Sequence, residues 1–349
     1  MDKRDEPAAM NKRSLGPLLL LLSLGLSFLA AEGALRLLSR NWLRVLDVEM
    51  WRYARSVKKV SAYGDVVEEH QPNASAFLMG GLVRTDEHGF RLPDPATAAR
   101  RRPEDRKVVA LGDSLTFGWG VSEGKTFSDE LERLLASECP RGGGTTGPTG
   151  TAGPAGTTVW NAGIGNCNTS MELARYARFI RPLHPRWVIL GYFVNDAEPD
   201  PQIPTNPFYW RSALLALAST RALQTSKLKL RDYRVYYQGL YDGGKPGWLR
   251  AQAALRELGQ MLQADGTQAT LILLPELHEP RGFGTFADVY HQVGAIGRES
   301  GFEVIDPSMD FPAGPGNSFW VSPEDAHPNA RAQTIFARAL ARSRFACAP

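Results

Sequence analysis

Ser114, Asn161, Asn195 and His327 fall in four short polar clusters of this 349-residue chain: "GDS" at 112–114, "NAG" from 161, "ND" at 195–196 and "HPN" at 327–329. Their residue types suit nucleophilic acyl chemistry. Such chemistry needs a hydroxyl nucleophile, a base to take its proton, an acid to orient that base, and donors for a developing oxyanion. Taken singly, each cluster has a plainer explanation. Asp and Ser after a strand commonly cap the free N–H groups of the next helix. The alternative glycine-loop chemistries fail on spacing. Leu115 and Thr116 follow Ser114, so G-x-S-x-G is absent. No G-x-x-x-x-G-K-[ST] occurs, and Gly112, Gly118 and Gly120 lack dinucleotide-binding spacing.

The clusters gain meaning from the elements around them. Five apolar runs, "KVVALG" (107–112), "TTVWNAG" (157–163), "RWVILGYFV" (186–194), "ATLILLPE" (269–276) and "FEVIDP" (302–307), are short, rich in β-branched or aromatic residues, and bounded by Gly, Pro or Asn. Buried parallel strands have this pattern. Between them, "FSDELERLLASE" puts Phe127, Leu131, Leu134 and Leu135 on one helical face, and "GWLRAQAALRELGQML" does so with Trp248, Leu255, Leu258 and Leu262. Alternation of this kind predicts an α/β fold, a three-layer α/β/α sandwich on a parallel sheet, with the site at the strands' C-terminal ends. Three clusters follow strands, and "SPEDAHPNA" is expected to open the last helix.

At these four blocks the chain resembles the SGNH (GDSL-type) hydrolase family over roughly residues 106–345. The apolar N-terminus, "TDEHGFRLPD" at 85–94 and the long third-strand motif look like its bacterial membrane-anchored members. The resemblance implies a five-stranded, flavodoxin-like sheet, with Ser114 as nucleophile and His327 as general base. Pro328 suits a first helical position, which would set His327 at a cap facing the strand ends. The family's acid normally lies three residues before the histidine, at Glu324 here. Asp325 lies two before; Asp is the usual orienting acid and the resemblance allows an Asp-x-His arrangement, so Asp325 is favoured with Glu324 as the alternative. The oxyanion hole should combine the Ser114 N–H, a backbone N–H from the second block and the Asn195 amide. Five residues after Asn161, where the family usually has Gly, stands Asn166; the donor is therefore either Gly165 or Asn166. Asp113, Asn161, Gly163 and Asp196 are expected to support these groups. The resemblance requires no cofactor and no metal.

Composition bounds the rest. Apolar residues make up 43% and charged residues 22%, ordinary for a globular protein. A net charge of +3 with no basic stripe argues against nucleic acid. His70, His88, His184, His278 and His291 are scattered, without metal-ligand spacing, and read as structural. Cys139, Cys167 and Cys347 form no CxxC; they allow one disulfide and leave one thiol, with Cys167 read as a small buried hydrophobe. The uncharged run "SLGPLLLLLSLGLSFLAA" (14–31) is slightly short of the ~20 residues that span a bilayer. It is expected to be an uncleaved anchor, with a cleaved signal as the alternative, and basic residues on both sides leave the positive-inside rule undecided.

The organisation expected is an anchor at 1–40, a juxtamembrane segment and linker at 41–105, and a catalytic domain at 106–345. A Gly/Pro/Thr tract at 141–158 reads as a flexible loop, and an aromatic-bearing insertion at 197–246 as a lid over the site or a packed excursion. The expected protein is an extracytoplasmic serine esterase, periplasmic or at the cell surface, acting on an acetyl or short acyl ester of a polysaccharide or lipid. An O-acyltransferase using the same acyl-serine, and a non-catalytic glycan-binding or assembly protein, are the alternatives.

Overall fold

The computed structural model describes residues 12–41, 45–139, 156–219 and 233–347. They divide into two compact units: the described residues of Met1–Trp51 with Pro204–Ser226, and those of Arg52–Ile203 with Lys227–Pro349.

The second unit is built on five parallel strands, β5 (Arg106–Gly112), β6 (Thr157–Asn161), β7 (Trp187–Tyr192), β8 (Gln268–Leu273) and β9 (Glu303–Ile305), ordered β6-β5-β7-β8-β9. Each coincides with one of the five apolar runs. Side chains alternate across the strands and so feed two cores. Val109, Leu111, Val188 and Leu190 pack with Leu255, Leu258, Leu262 and Tyr290. Val108, Ala110, Trp187 and Ile189 pack with Phe127, Leu131, Leu135 and Phe336 on the other face. The helix Phe127–Glu138 starts where expected, because Thr126 and Asp129 form a reciprocal capping box. The chain leaves β5 for one neighbour, β6, and then returns to the other, β7. This reversal makes the C-terminal ends of β5 and β7 the switch point where α/β folds open a crevice.

Three expectations need correction. Residues 41–105 are not merely a linker: within them lie the hairpins β1 (Lys58–Val60) with β2 (Glu68–His70) and β3 (Ser75–Leu78) with β4 (Gly81–Arg84). Arg91 then bridges antiparallel to Asn161 at the end of β6. His327 and Pro328 do not open the last helix. They lie in β11 (Asp325–Pro328), which pairs antiparallel with β10 (Trp320–Ser322), while Asn329 caps the helix Ala330–Ala341 by accepting from the Arg331 and Ala332 N–H groups. Asn supplies the cap oxygen that Pro lacks, so the helix starts two residues later. The tract at 141–158 lies outside the described residues up to 155; Thr157 and Thr158 open β6.

In the first unit the helix Lys12–Asn41 carries the apolar stretch Gly16–Ser39, long and apolar enough to cross a membrane, as a membrane anchor or a signal sequence would be. Its carboxylate Glu32 is paired, as such a group must be. Glu32 accepts from Arg36 Nε at 2.6 Å, from Ser212 Oγ at 2.8 Å and from the N–H groups of Ala213 and Leu214 at 2.8 and 2.9 Å. Residues 204–219 of the insertion thus pack within the unit of the N-terminal helix, and 220–232 lie outside the described residues.

Cys139, following the helix Phe127–Glu138, is disulfide-bonded to Cys347, 208 positions further along the sequence, with Cα atoms 5.4 Å apart. Closing so long a loop restricts the unfolded chain strongly. Reduction, or Cys139→Ser, is expected to lower stability by about 3 kcal/mol, read as a drop in melting temperature with dithiothreitol and no such drop in the variant.

Candidate active site

Ser114 begins a single helical turn, Ser114–Phe117, directly after β5. Asp113 caps it by accepting the Leu115 N–H at 2.8 Å, and Gly118 ends it with φ +79. A side chain at 118 would be strained by that φ and would meet Thr126 at 2.7 Å. The short turn holds Ser114 largely buried while leaving its N–H without an intramolecular partner among the described residues. Ser114 Oγ lies 2.9 Å from His327 Nε2. His327 Nδ1 lies 2.5 Å from Asp325 Oδ1, which also accepts the His327 backbone N–H at 3.1 Å. With Nδ1–H given to the carboxylate, Nε2 turns its lone pair toward the Ser114 hydroxyl.

Asp325 and His327 share β11 two residues apart, whereas Glu324 is exposed. Burial pushes the Asp325 carboxyl up, but the hydrogen bond and charge of His327, the His327 backbone N–H and Trp119 outweigh it and hold the group below its ordinary value. Trp119 Nε1 donates to Asp325 Oδ2 at 3.0 Å, so both carboxylate oxygens are engaged.

The second block crosses beneath the Ser114 turn. Asn161 Nδ2 donates to the Thr116 carbonyl at 2.9 Å, and its Oδ1 accepts the Gly163 N–H at 3.1 Å. Gly163 passes so close to the turn that a Cβ there would lie 2.3 Å from the Phe117 nitrogen. The two oxyanion candidates differ in their commitments. Gly165 N–H donates to Tyr53 Oη at 3.0 Å. The Asn166 N–H has no partner among the described residues, and the residue is exposed with φ +62, a conformation Asn tolerates. Asn195, after β7, gives one amide proton to Asp113 Oδ2 at 3.1 Å and keeps the other uncommitted among the described residues. Asp196 accepts the Phe193 N–H at 2.7 Å and so shapes that loop. Burial pushes the Asp113, Asp196 and Glu172 carboxyls up, with the charges of Glu172 and Asp113 adding to the rise at Asp196 and that of Asp113 to the rise at Glu172, and it pushes the Cys167 thiol up as well.

Residues 110–335 match the sequence model of the GDSL-like Lipase/Acylhydrolase family. The chain belongs to that family. It is a serine hydrolase by membership, and its sheet of five parallel strands is the fold the resemblance implied. Solved structures similar to this family member include a variant of Axe2, an acetyl-xylooligosaccharide esterase from Geobacillus stearothermophilus, 17% identical over 69% of this chain and 95% of its own, with a TM-score of 0.43. LAE5, an alpha/beta hydrolase from the metagenome of Lake Arreo, Spain, is 16% identical over 70% and 97%, with a TM-score of 0.44. TesA is 18% identical over 67% and 96%, with a TM-score of 0.40. No curated protein matches the sequence.

Sequence reasoning missed the residues that clamp this hydrolase site from 52–94. Arg91 is fully buried. Its Nη1 donates to the Phe117 and Gly118 carbonyls at 2.8 and 2.7 Å, and Nη2 to the Val121 carbonyl, closing the C-terminal end of the Ser114 turn. Tyr53 and Lys58 meet the second block at Gly165, and His70 backs Tyr53. A signal existed in "TDEHGFRLPD", which contains Arg91, and in Trp119 beside the GDS block, but neither names a partner. His278 pairs through Nδ1 with Glu276, a contact the structural reading of the scattered histidines allows. Arg91→Ala would leave the buried Val121 carbonyl without a donor among the described residues, while the Phe117 and Gly118 carbonyls would keep only Asn161 Nδ2 at 3.5 Å and the Val121 N–H at 3.0 Å. It is expected to cost about 1–3 kcal/mol for the orphaned group, measured by urea unfolding.

Proposed function

We propose that this GDSL-like acylhydrolase is an extracytoplasmic serine esterase, hydrolysing a short acyl ester of a carbohydrate or lipid through an acyl-Ser114 intermediate, with His327 as base and Asp325 as its orienting acid. The reading is carried by the continuous hydrogen-bonded line from Ser114 Oγ through His327 to Asp325, at 2.9 and 2.5 Å. As Ser114 Oγ attacks the ester carbonyl, its proton passes to His327 Nε2. The carbonyl oxygen becomes an oxyanion facing the N–H groups of Ser114 and Asn166 and the free amide proton of Asn195. Collapse of this intermediate breaks the ester bond, and His327 returns its proton to the departing alcohol. Water then attacks the acyl group with His327 again taking a proton, releasing the acid and restoring the Ser114 hydroxyl. Gly165, its N–H committed to Tyr53, acts as support for the donor peptide instead of as a donor.

Two features support placement outside the cytoplasm. The apolar helix at 16–39 suits an anchor or signal, and the Cys139–Cys347 disulfide suits an oxidising compartment. With p-nitrophenyl acetate as substrate, Ser114→Ala is expected to abolish turnover while leaving the unfolding transition in place; undiminished activity would overturn the assignment. Asp325→Asn is expected to lower kcat by roughly 10³- to 10⁴-fold, as loss of an orienting acid does, and Glu324→Gln to leave it unchanged. The reverse ranking would make Glu324 the acid. Trp119→Phe removes one hydrogen bond to a charged carboxylate, worth about 1.5–3 kcal/mol, and is expected to lower kcat by about tenfold or more, measured with the same ester.

A further inference from the structure

Lys58 is buried, and its ammonium has no place in the acyl-transfer steps. It donates to the Gly165 carbonyl oxygen at 2.6 Å and to Glu68 Oε2 at 2.7 Å. The Gly165 carbonyl belongs to the same peptide unit as the Asn166 N–H. Among the described residues no peptide is cis, and in a trans peptide the C=O and N–H point in opposite directions. The carbonyl is therefore held inward by Lys58 while the Asn166 N–H points away from it, at an exposed residue, without an intramolecular acceptor among the described residues. The other side of Gly165 is fixed as well. Its N–H donates to Tyr53 Oη, Tyr53 O–H donates to His70 Nε2 at 2.6 Å, and His70 Nδ1–H donates to the Gly89 carbonyl at 3.0 Å. The donor peptide has one orientation open to it.

We propose that Lys58 is a positioning residue for the oxyanion donor, its ammonium both fixing the Gly165–Asn166 peptide and polarising it so that the Asn166 N–H becomes a stronger donor. Charge-assisted hydrogen bonds are roughly twice as strong as neutral ones, and hydrogen bonds in series polarise one another. Withdrawal of electron density at the carbonyl oxygen thus reaches the N–H of the same peptide. The benefit is largest when a full negative charge has formed opposite that N–H, which makes the effect specific to the transition state. The inference rests on the acyl-Ser114 reading above.

The test is the kinetics of Lys58→Met, Lys58→Gln and Lys58→Arg on p-nitrophenyl acetate, with active sites counted by fluorophosphonate titration. Lys58→Met is expected to lower kcat per titrated site about tenfold, below the 10²- to 10³-fold loss of an entire donor, with KM within about twofold. Should Lys58→Met fail to fold, Lys58→Gln, which keeps a neutral donor to the carbonyl, replaces it and is expected to lose rate as well. Lys58→Arg, which keeps the charge, should recover part of it. Affinity for a phenylboronic acid, which forms a tetrahedral anion on a serine, should fall in parallel with kcat. Wild-type kcat per titrated site with only a lower melting temperature would reduce Lys58 to packing and overturn the inference. If Ser114→Ala is inactive while the Lys58 variants keep full kcat, this inference alone falls. If Ser114→Ala keeps its activity, the acyl-serine reading falls and takes the Lys58 role with it.

Discussion

The hydrogen bond from Ser114 to His327 joins residues 213 positions apart, and holding it is the constraint to which the rest of the second unit answers. A hydroxyl and an imidazole meet at 2.9 Å only if the elements carrying them are rigid to a fraction of that distance. One partner stands on a single helical turn after β5, the other on a short hairpin before the last helix. Neither is stable alone, since an isolated turn or a two-stranded hairpin cannot offset its own loss of chain entropy. Both borrow rigidity from the two apolar cores that cover the sheet.

The cores take in only single residues of the polar loops at the strand ends, such as Leu115, Ala162 and Val194, and a different kind of packing holds the rest. Backbone carbonyls of the Ser114 turn and of the second block are met by buried cations, Arg91 and Lys58, and the Gly165 N–H is met by Tyr53, itself paired with His70. Burying a guanidinium or an ammonium is costly unless its donors are used. These donors point at carbonyls that the sharp turns leave without helical or sheet partners. The segment before the sheet thus exchanges the desolvation of its cations for the satisfaction of loops that regular structure cannot satisfy.

This division explains what could be read from the sequence. Parallel strands buried on both faces are nearly continuous apolar runs, so all five were legible to within three residues at either end, as was the helix at 127–138. Ser114 and His327 stood out because one block follows a strand and the other precedes the last helix. The clamps were not legible, because the partner of Arg91 or Lys58 is a backbone carbonyl, which has no identity in a sequence. The hairpin β10–β11 was misread as the start of a helix because its strands are only three and four residues long, too short for a period of two to show. Pro328, a residue suited to the first turn of a helix, strengthened the wrong reading.

The hairpin also bears on how the acid and the histidine are spaced. In a strand, residues i and i+2 face the same way, while i and i+3 face oppositely. Once His327 sits on a strand, a carboxylate three positions earlier is turned to the far face, and one two positions earlier is brought alongside. A helical or irregular approach would favour the longer interval. The number of residues between the two partners is then a record of the local backbone geometry: a change from one spacing to the other needs the approach to β11 to be rebuilt, and cannot be made by exchanging the two acidic side chains alone.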